Sequence, residues 1–171
     1  MQGKIMKTLV VIDIEKEWIT KTSEYYLGNI SSFMKKLNLL IEYCRRKGHK
    51  IIFVRHVELA GKAFRKGKGA EFIDNLSITS KDVVIEKNKI SAFYRTNIEK
   101  MLSKDVIIAG ILTNLCVRSF VNDAYDREYA LTLVEDCCVS VSKKMHQYTL
   151  EDFQLTRPEV KIASLQNFLK L

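Results

Sequence analysis

The sequence predicts a doubly wound α/β sandwich: a mainly parallel, six-stranded sheet in the order 3-2-1-4-5-6, with helices on both faces. Three observations predict it. Short β-branched apolar runs alternate with amphipathic helical segments along the chain, a pattern that right-handed crossovers turn into a parallel sheet. The runs are apolar at nearly every position rather than at every second one, as in strands covered on both faces. The 171 residues, 47% of them apolar and 28% charged, suffice for one full core, and a single domain over residues 1–171 is expected.

Thr8-Leu9-Val10-Val11-Ile12 reads as the first strand and ends in a carboxylate, Asp13. Ile30 to Lys47 places Phe33, Leu37, Leu40, Ile41 and Cys44 at helical spacing, and Gly48 closes that helix from the C′ position. Ile51 to Val54 is the second strand, followed by Arg55 and His56. Glu58 to Gly69 is basic and glycine-containing, and reads as a flexible cover. Ala70 to Leu76 is expected to form one or two helical turns, and Val83 to Ile85 the third strand. A helix over Thr96 to Leu102 is predicted from Thr96 as N-cap and Glu99 at the capping-box position. Val106 to Ala109 is the fourth strand, Val117 to Arg127 a helix, and Ala130 to Val134 the fifth strand. Lys143 to Leu155 is a helix and Val160 to Ala163 a short sixth strand.

Composition excludes several classes of function. The uncharged apolar runs are too short to span a bilayer. Met1 to Lys7 lacks the apolar stretch and small-residue cleavage site of a signal peptide, so a cytoplasmic location is expected. Cys44, Cys116, Cys137 and Cys138 are then expected to be reduced, and their spacings form neither a CxxC pair nor a zinc pattern. The net charge of +8 raises the question of nucleic acid. The basic residues are scattered, with local excess at Lys35-Lys36, Arg45 to Lys47 and Lys62 to Lys68, and no basic strand is studded with aromatics. The expected partner is a small-molecule substrate, with no nucleic acid and no membrane. Between Gly61 and Gly67-Lys68-Gly69 five residues intervene; a Walker loop needs four and a hydroxyl residue after the lysine, so a phosphate loop is rejected.

Topology points to a site. In the order 3-2-1-4-5-6, strands 1 and 4 are neighbours at the switch point, where ligands bind beyond the carboxyl ends of the strands. Asp13 ends strand 1. Cys116 follows strand 4 after the Gly110-Ile111-Leu112-Thr113-Asn114 turn. A thiol at a strand-to-helix turn meets backbone N–H groups and the positive end of the helix dipole, which favour thiolate. A third candidate is a lysine after the third strand, Lys87 or its rival Lys89. Taken singly, each residue also has an ordinary structural reading: an aspartate capping a turn, a cysteine packed as a small hydrophobe, a solvated lysine. Cys44, Cys137 and Cys138 are assigned to packing.

The ordered set of motifs is more specific than its members. An aspartate closing the first strand, Lys87-x-x-x-Ser91-Ala92-Phe93 after the third, and Gly110-Ile111-Leu112-Thr113-Asn114-Leu115-Cys116-Val117 before a helix resemble the isochorismatase-like cysteine hydrolases. Asp123 to Ala130 and Val134-Glu135-Asp136 are similar to that family's pattern as well. The resemblance covers nearly the whole chain. It implies a catalytic triad of Asp13, Lys87 and Cys116, the spacing to Ser91-Ala92-Phe93 selecting Lys87 over Lys89. It also implies an oxyanion hole from the backbone N–H groups of Leu112 and Cys116, beside a cis peptide at Ile111–Leu112. Losing one such donor typically costs roughly 2.7–4 kcal/mol of transition-state stabilisation.

Candidate substrate-binding positions are Trp18, by the same resemblance an aromatic wall and otherwise a core tryptophan; Phe93 of the motif; and His56, which with Arg55 follows the second strand at the rim, to meet an anionic substrate or to stand as a surface pair. Glu15-Lys16-Glu17-Trp18 departs from the family's Gln-x-Asp-Phe; Glu15 replaces the glutamine, and Trp18 stands for the phenylalanine. Nicotinamidases of the family bind zinc through Asp-x-His after the second strand, and this chain has Arg55-His56-Val57 there, so no metal and no cofactor are expected. Isochorismate hydrolases proper generally lack the cysteine. The resemblance implies a metal-independent hydrolase cleaving a C–N bond of a small amide, ureide or carbamoyl compound through a thioester, assembled as a dimer or tetramer. The alternative is a non-catalytic relative that keeps the pocket for ligand binding or assembly. Phosphoryl transfer from Asp13 is disfavoured, since Asp13-Ile14-Glu15 is not Asp-x-Asp.

Overall fold

All six strands are parallel and run in the order β3-β2-β1-β4-β5-β6 in the computed structural model, which describes residues 6–61 and 63–170. Met1 to Ile5, which carry most of the reading of the N-terminus, and Lys62 of the basic loop lie outside the described residues. The strands are β1 (Thr8–Ile12), β2 (Lys50–His56), β3 (Val83–Lys87), β4 (Asp105–Ile111), β5 (Ala130–Val139) and β6 (Lys161–Ala163). The helices are α1 (Ser31–Arg46), α2 (Arg118–Tyr125), α3 (Lys143–Thr156) and α4 (Leu165–Phe168).

The unbroken apolar runs are explained by two cores, one on each face. Side chains alternate across a strand, so Leu9 and Val11 of β1 join Ile51, Phe53, Ile107 and Ala109 under α1 and α4. Val10 and Ile12 join Ile52, Val54, Val106 and Ile108 under α2 and α3. The α1 stripe of Phe33, Leu37, Leu40, Ile41 and Cys44 is buried as its spacing requires. Gly48 ends that helix at a φ of 71°, and its N–H donates to the Arg45 carbonyl over 3.0 Å. A positive φ there is the backbone state that glycine adopts without a Cβ penalty.

Three elements differ from the sequence expectation. Ala70 to Leu76 forms no helix. Its backbone is engaged by the segment after β1: Lys16 N–H donates to the Glu71 carbonyl over 2.8 Å, Ile73 N–H to the Ile14 carbonyl over 3.1 Å, and Glu15 pairs with Phe72 in an antiparallel bridge. Thr96 to Leu102 reduces to a single 3₁₀ turn, Ile98–Met101, because the Thr96 hydroxyl turns back to the Ala92 carbonyl over 2.5 Å. β5 runs five residues beyond Val134, to Val139, past a register irregularity: Ile108 faces Leu133, but Gly110 faces Cys138. Cys137 and Cys138 therefore lie inside the strand, one in each core.

Two features aim the strand ends. Asp13 adopts a φ of 54°, a left-handed conformation that aspartate tolerates better than most residues. It ends β1 while its N–H still donates to the Val54 carbonyl over 2.9 Å. Gly110 has a φ of 142°, and a Cβ there would come within 2.3 Å of the Ile12 carbonyl oxygen. Only glycine permits β4 to approach β1 this closely, next to the Ile111–Leu112 peptide, which is cis.

Candidate active site

Asp13, Lys87 and Cys116 meet at the carboxyl ends of the central strands. Lys87 is the last residue of β3, where register places it beside His56 of β2. Its side chain is wholly buried and its Nζ lies 2.8 Å from Asp13 Oδ2. The same nitrogen is 3.4 Å from Cys116 Sγ, 3.3 Å from His56 Nδ1 and 3.1 Å from the Lys89 carbonyl oxygen. Lys89 itself is exposed, so the two lysines are cleanly separated: one inside the cluster, the other contributing only backbone. Asp13 Oδ1 has no hydrogen-bond partner among the described residues.

Cys116 sits in a π-helical turn, Thr113–Val117, that leads into α2. The Leu112 carbonyl accepts from both Leu115 N–H and Val117 N–H at 3.1 Å. The widened turn fits the functional use of π-bulges. Its effect on the thiol is the opposite of the sequence expectation. Burial first, and the Asp13 carboxylate second, push the Cys116 pKa up, with Lys87 pulling the other way. The thiol is therefore protonated next to a carboxylate, since burial outweighs the helix terminus. Burial alone would depress the Lys87 ammonium, but the Asp13 charge and the hydrogen bonds to Asp13 and Cys116 outweigh it and its pKa is raised. The electrostatic state is ammonium, carboxylate and thiol.

A cavity of about 190 Å³ opens onto the sulfur, lined by Asp13, Trp18, Tyr25, His56, Glu58, Phe64, Ile90, Leu112, Leu115 and Cys116. Trp18 is buried, donates from Nε1 to the Asp13 carbonyl over 2.7 Å, and lines the cavity. His56 also lines it. Burial, then the charge of Lys87, lowers the His56 pKa, which keeps the imidazole neutral. Phe93 does not line the cavity, a correction to the sequence reading. Its ring packs on Phe120 at 5.2 Å with the Arg127 guanidinium 4.6 Å over it. The Ser91-Ala92-Phe93 motif is a tie to α2, since Ser91 Oγ donates to Asp123 Oδ2 over 2.6 Å. Arg55 is likewise a structural residue, ion-paired to Glu71 at 3.1 Å and to Glu86.

Sequence reasoning missed Tyr25, Glu58, Phe64, Ile90 and Leu115 as cavity walls. Phe64 comes from the basic loop, where it is buried against Trp18 at 4.8 Å, Tyr25 at 5.2 Å and His56 at 5.6 Å. Loops carry no periodicity that would announce such contacts. Glu15 was noted as a departure, but its environment was not. It is fully buried, accepts the His56 N–H, and leaves Oε2 unpartnered among the described residues. Burial and the Asp13 charge raise its pKa well above the usual carboxylate value, against the opposing effects of the His56 N–H, Lys87 and Arg55. The signal available was a carboxylate three residues past a fully buried strand.

The residues do not fit a metal ion. His56 faces the Lys87 ammonium, and among the described residues no group of three or more histidines, cysteines or carboxylates could hold one. No helix of the described residues is long and apolar enough to cross a membrane.

The chain and its fold are similar to known proteins. A family model described as "Isochorismatase domain" matches residues 7–162. Ureidoacrylate amidohydrolase RutB of Acinetobacter baylyi is 35% identical over 99 residues, a match spanning 54% of this chain and 40% of that protein. Nicotinamidase 3 of Arabidopsis thaliana is 26% identical over 161 residues, covering 83% of this chain and 77% of that one. In fold, the crystal structure of an isochorismatase-like hydrolase from Alkaliphilus metalliredigens matches with a TM-score of 0.86 at 22% identity, covering 97% of this chain and 98% of the other.

Proposed function

The chain belongs to the isochorismatase family of hydrolases, and on that premise we propose that it is a metal-independent cysteine hydrolase that cleaves the C–N bond of a small amide, ureide or carbamoyl compound. One observation carries the reading: a single buried ammonium, Lys87, lies 2.8 Å from the Asp13 carboxylate and 3.4 Å from the Cys116 sulfur, at the floor of a cavity. Relatives named ureidoacrylate amidohydrolase and nicotinamidase support the bond type.

The chemistry follows from the resting charges. The thiol is protonated, so attack begins with transfer of its proton to Asp13, and Lys87, in reach of both groups, balances the charge as it passes from carboxylate to sulfur. Sulfur adds to the carbonyl carbon, and the oxygen takes up the negative charge beside the N–H groups of Leu112 and Cys116. Asp13 returns the proton to nitrogen, the amine leaves, and a thioester on Cys116 remains. Water, deprotonated by Asp13, then attacks the thioester carbon, and the acid departs as the thiol is restored. A cavity of about 190 Å³ is smaller than the roughly 300–1,000 Å³ of sites for drug-sized ligands, which restricts substrates to small metabolites.

The test is ammonia release from a panel of primary amides, carbamoyl amino acids and ureido acids, with and without a chelator. Turnover that survives chelation and is lost in Cys116→Ala at unchanged melting temperature is the expected result. A fully active Cys116→Ala variant would refute the assignment. The non-catalytic alternative is separated by an electrophilic thiol probe: selective labelling of Cys116 at neutral pH belongs to the enzyme.

A further inference from the structure

Among the described residues that line the cavity, one carboxylate is not used by the triad chemistry. Asp13 and Lys87 form an ion pair and cancel. His56 is neutral, its pKa lowered by burial and then by Lys87, and among the described residues no arginine or lysine lines the cavity. Glu58 remains. It is half-buried at the cavity mouth, lining both the chamber over Cys116 and the neighbouring surface depression that holds Lys89 and Arg95. Its carboxylate has no ion-pair or hydrogen-bond partner among the described residues.

The carboxylate lies over Gly61 of the same loop. A Cβ on Gly61 would fall 1.3 Å from Glu58 Oε2, so the absence of a side chain at 61 makes the room the carboxylate occupies. The Glu58 N–H is fixed by donation to the Phe64 carbonyl over 3.0 Å, which ties it to the ring that closes the chamber. Its charge reaches the exposed Tyr25 at the cavity rim, whose phenol is raised by Glu24 foremost, by burial, and then by Glu58.

We propose that Glu58 is a specificity-determining residue that excludes anionic compounds, so that the substrate is a neutral small amide rather than a ureido or carbamoyl acid. This rests on the amide-hydrolase reading of the same site. An anion entering the chamber would meet an uncompensated carboxylate in a setting of reduced dielectric, with no cation to pair with.

Two paired measurements test it. Iodoacetamide and iodoacetate alkylate a thiol by one displacement: the S–C bond forms, the C–I bond breaks, iodide leaves with the electron pair, and the thiol proton passes through Asp13 to solvent. Their rates at Cys116, followed by mass spectrometry and divided by the same ratio for N-acetylcysteine, should favour the amide by about tenfold. Glu58→Gln should bring that ratio close to one. Succinamide and succinamate then compare a neutral with an anionic substrate of equal size, with kcat/KM for ammonia release expected to favour succinamide by about tenfold. An alkylation ratio equal to that of the free thiol and unmoved by Glu58→Gln, a Cys116 that neither reagent reaches, or preferred hydrolysis of succinamate would each overturn the proposal. Charge-selective alkylation with no hydrolysis of any amide would leave Glu58 as the selector and sink the hydrolase reading instead.

Discussion

The two ends of the sheet bury polar groups in opposite ways. At the amino end, Thr8 Oγ1 and Ser103 Oγ are 2.8 Å apart, Ser103 N–H donates to Thr8 Oγ1 over 2.9 Å, and Ser103 Oγ donates to the Asp105 carbonyl over 3.1 Å. Lys50 Nζ reaches the Met101 carbonyl over 2.8 Å from a solvated position. The buried groups there are neutral and satisfied. At the carboxyl end, Asp13, Glu15 and Lys87 are all buried, and Asp13 Oδ1 and Glu15 Oε2 have no hydrogen bond among the described residues. Satisfied neutral networks hold a fold together, whereas unpaired buried carboxylate oxygens are costly and call for another explanation. Chemistry at that end is the explanation the geometry supports best.

The sharpest way to break the contrast is at Cys116. Cys116→Ala should lower kcat for amide hydrolysis by roughly 10⁴–10⁶-fold while the melting temperature holds, measured by ammonia release and thermal unfolding. Lys87→Met comes next. It strands the Asp13 carboxylate in the interior and should cost about 3–5 kcal/mol of stability. The double variant with Asp13→Asn should recover part of that loss in urea titrations, and a double variant no better than the single one would deny the coupling. At the amino end, Thr8→Val leaves Ser103 N–H without its acceptor and should cost about 1–3 kcal/mol, with kcat/KM unchanged within error.

The smallest effect is a pH dependence. The folded protein holds a proton on Glu15 that the unfolded chain releases above the ordinary value of 4.5. Stability therefore declines as pH rises from there through the raised native value. Glu15→Gln removes that decline, so the variant should gain on the parent steadily across this window. Denaturation midpoints that keep the same spacing at pH 4.5 and pH 8 would show that Glu15 titrates normally.

Legibility in the sequence follows the same division. The strands of the sheet and the stripe of α1 were readable because burial on two faces, or on one, imposes a pattern that survives in the residues. β5 read short because Glu135 and Asp136 interrupt its apolar run, although Asp136 is spent on fixing Leu165 N–H over 2.7 Å and Lys36 over 3.0 Å. The helix expected at Ala70 to Leu76 failed because a distant segment claims its backbone groups, a competition local propensity cannot express. Asp13 and Cys116 were placed by topology alone, and Lys87 by its spacing to Ser91. The chamber's walls were illegible: Tyr25, Glu58 and Phe64 converge from separate loops.

Gly110 divides what can change in this molecule from what cannot. A methyl group there would strike the Ile12 carbonyl, one residue before Asp13, so the placement of the proposed proton carrier hangs on an alpha hydrogen in a neighbouring strand. Much of the cavity wall comes from loops, where the tight glycine, Gly61, meets only the far end of a flexible side chain, Glu58, rather than backbone. Retailoring this protein to new compounds is accordingly a matter of rewriting residues around 25, 58 and 64, with the frame beneath them left alone.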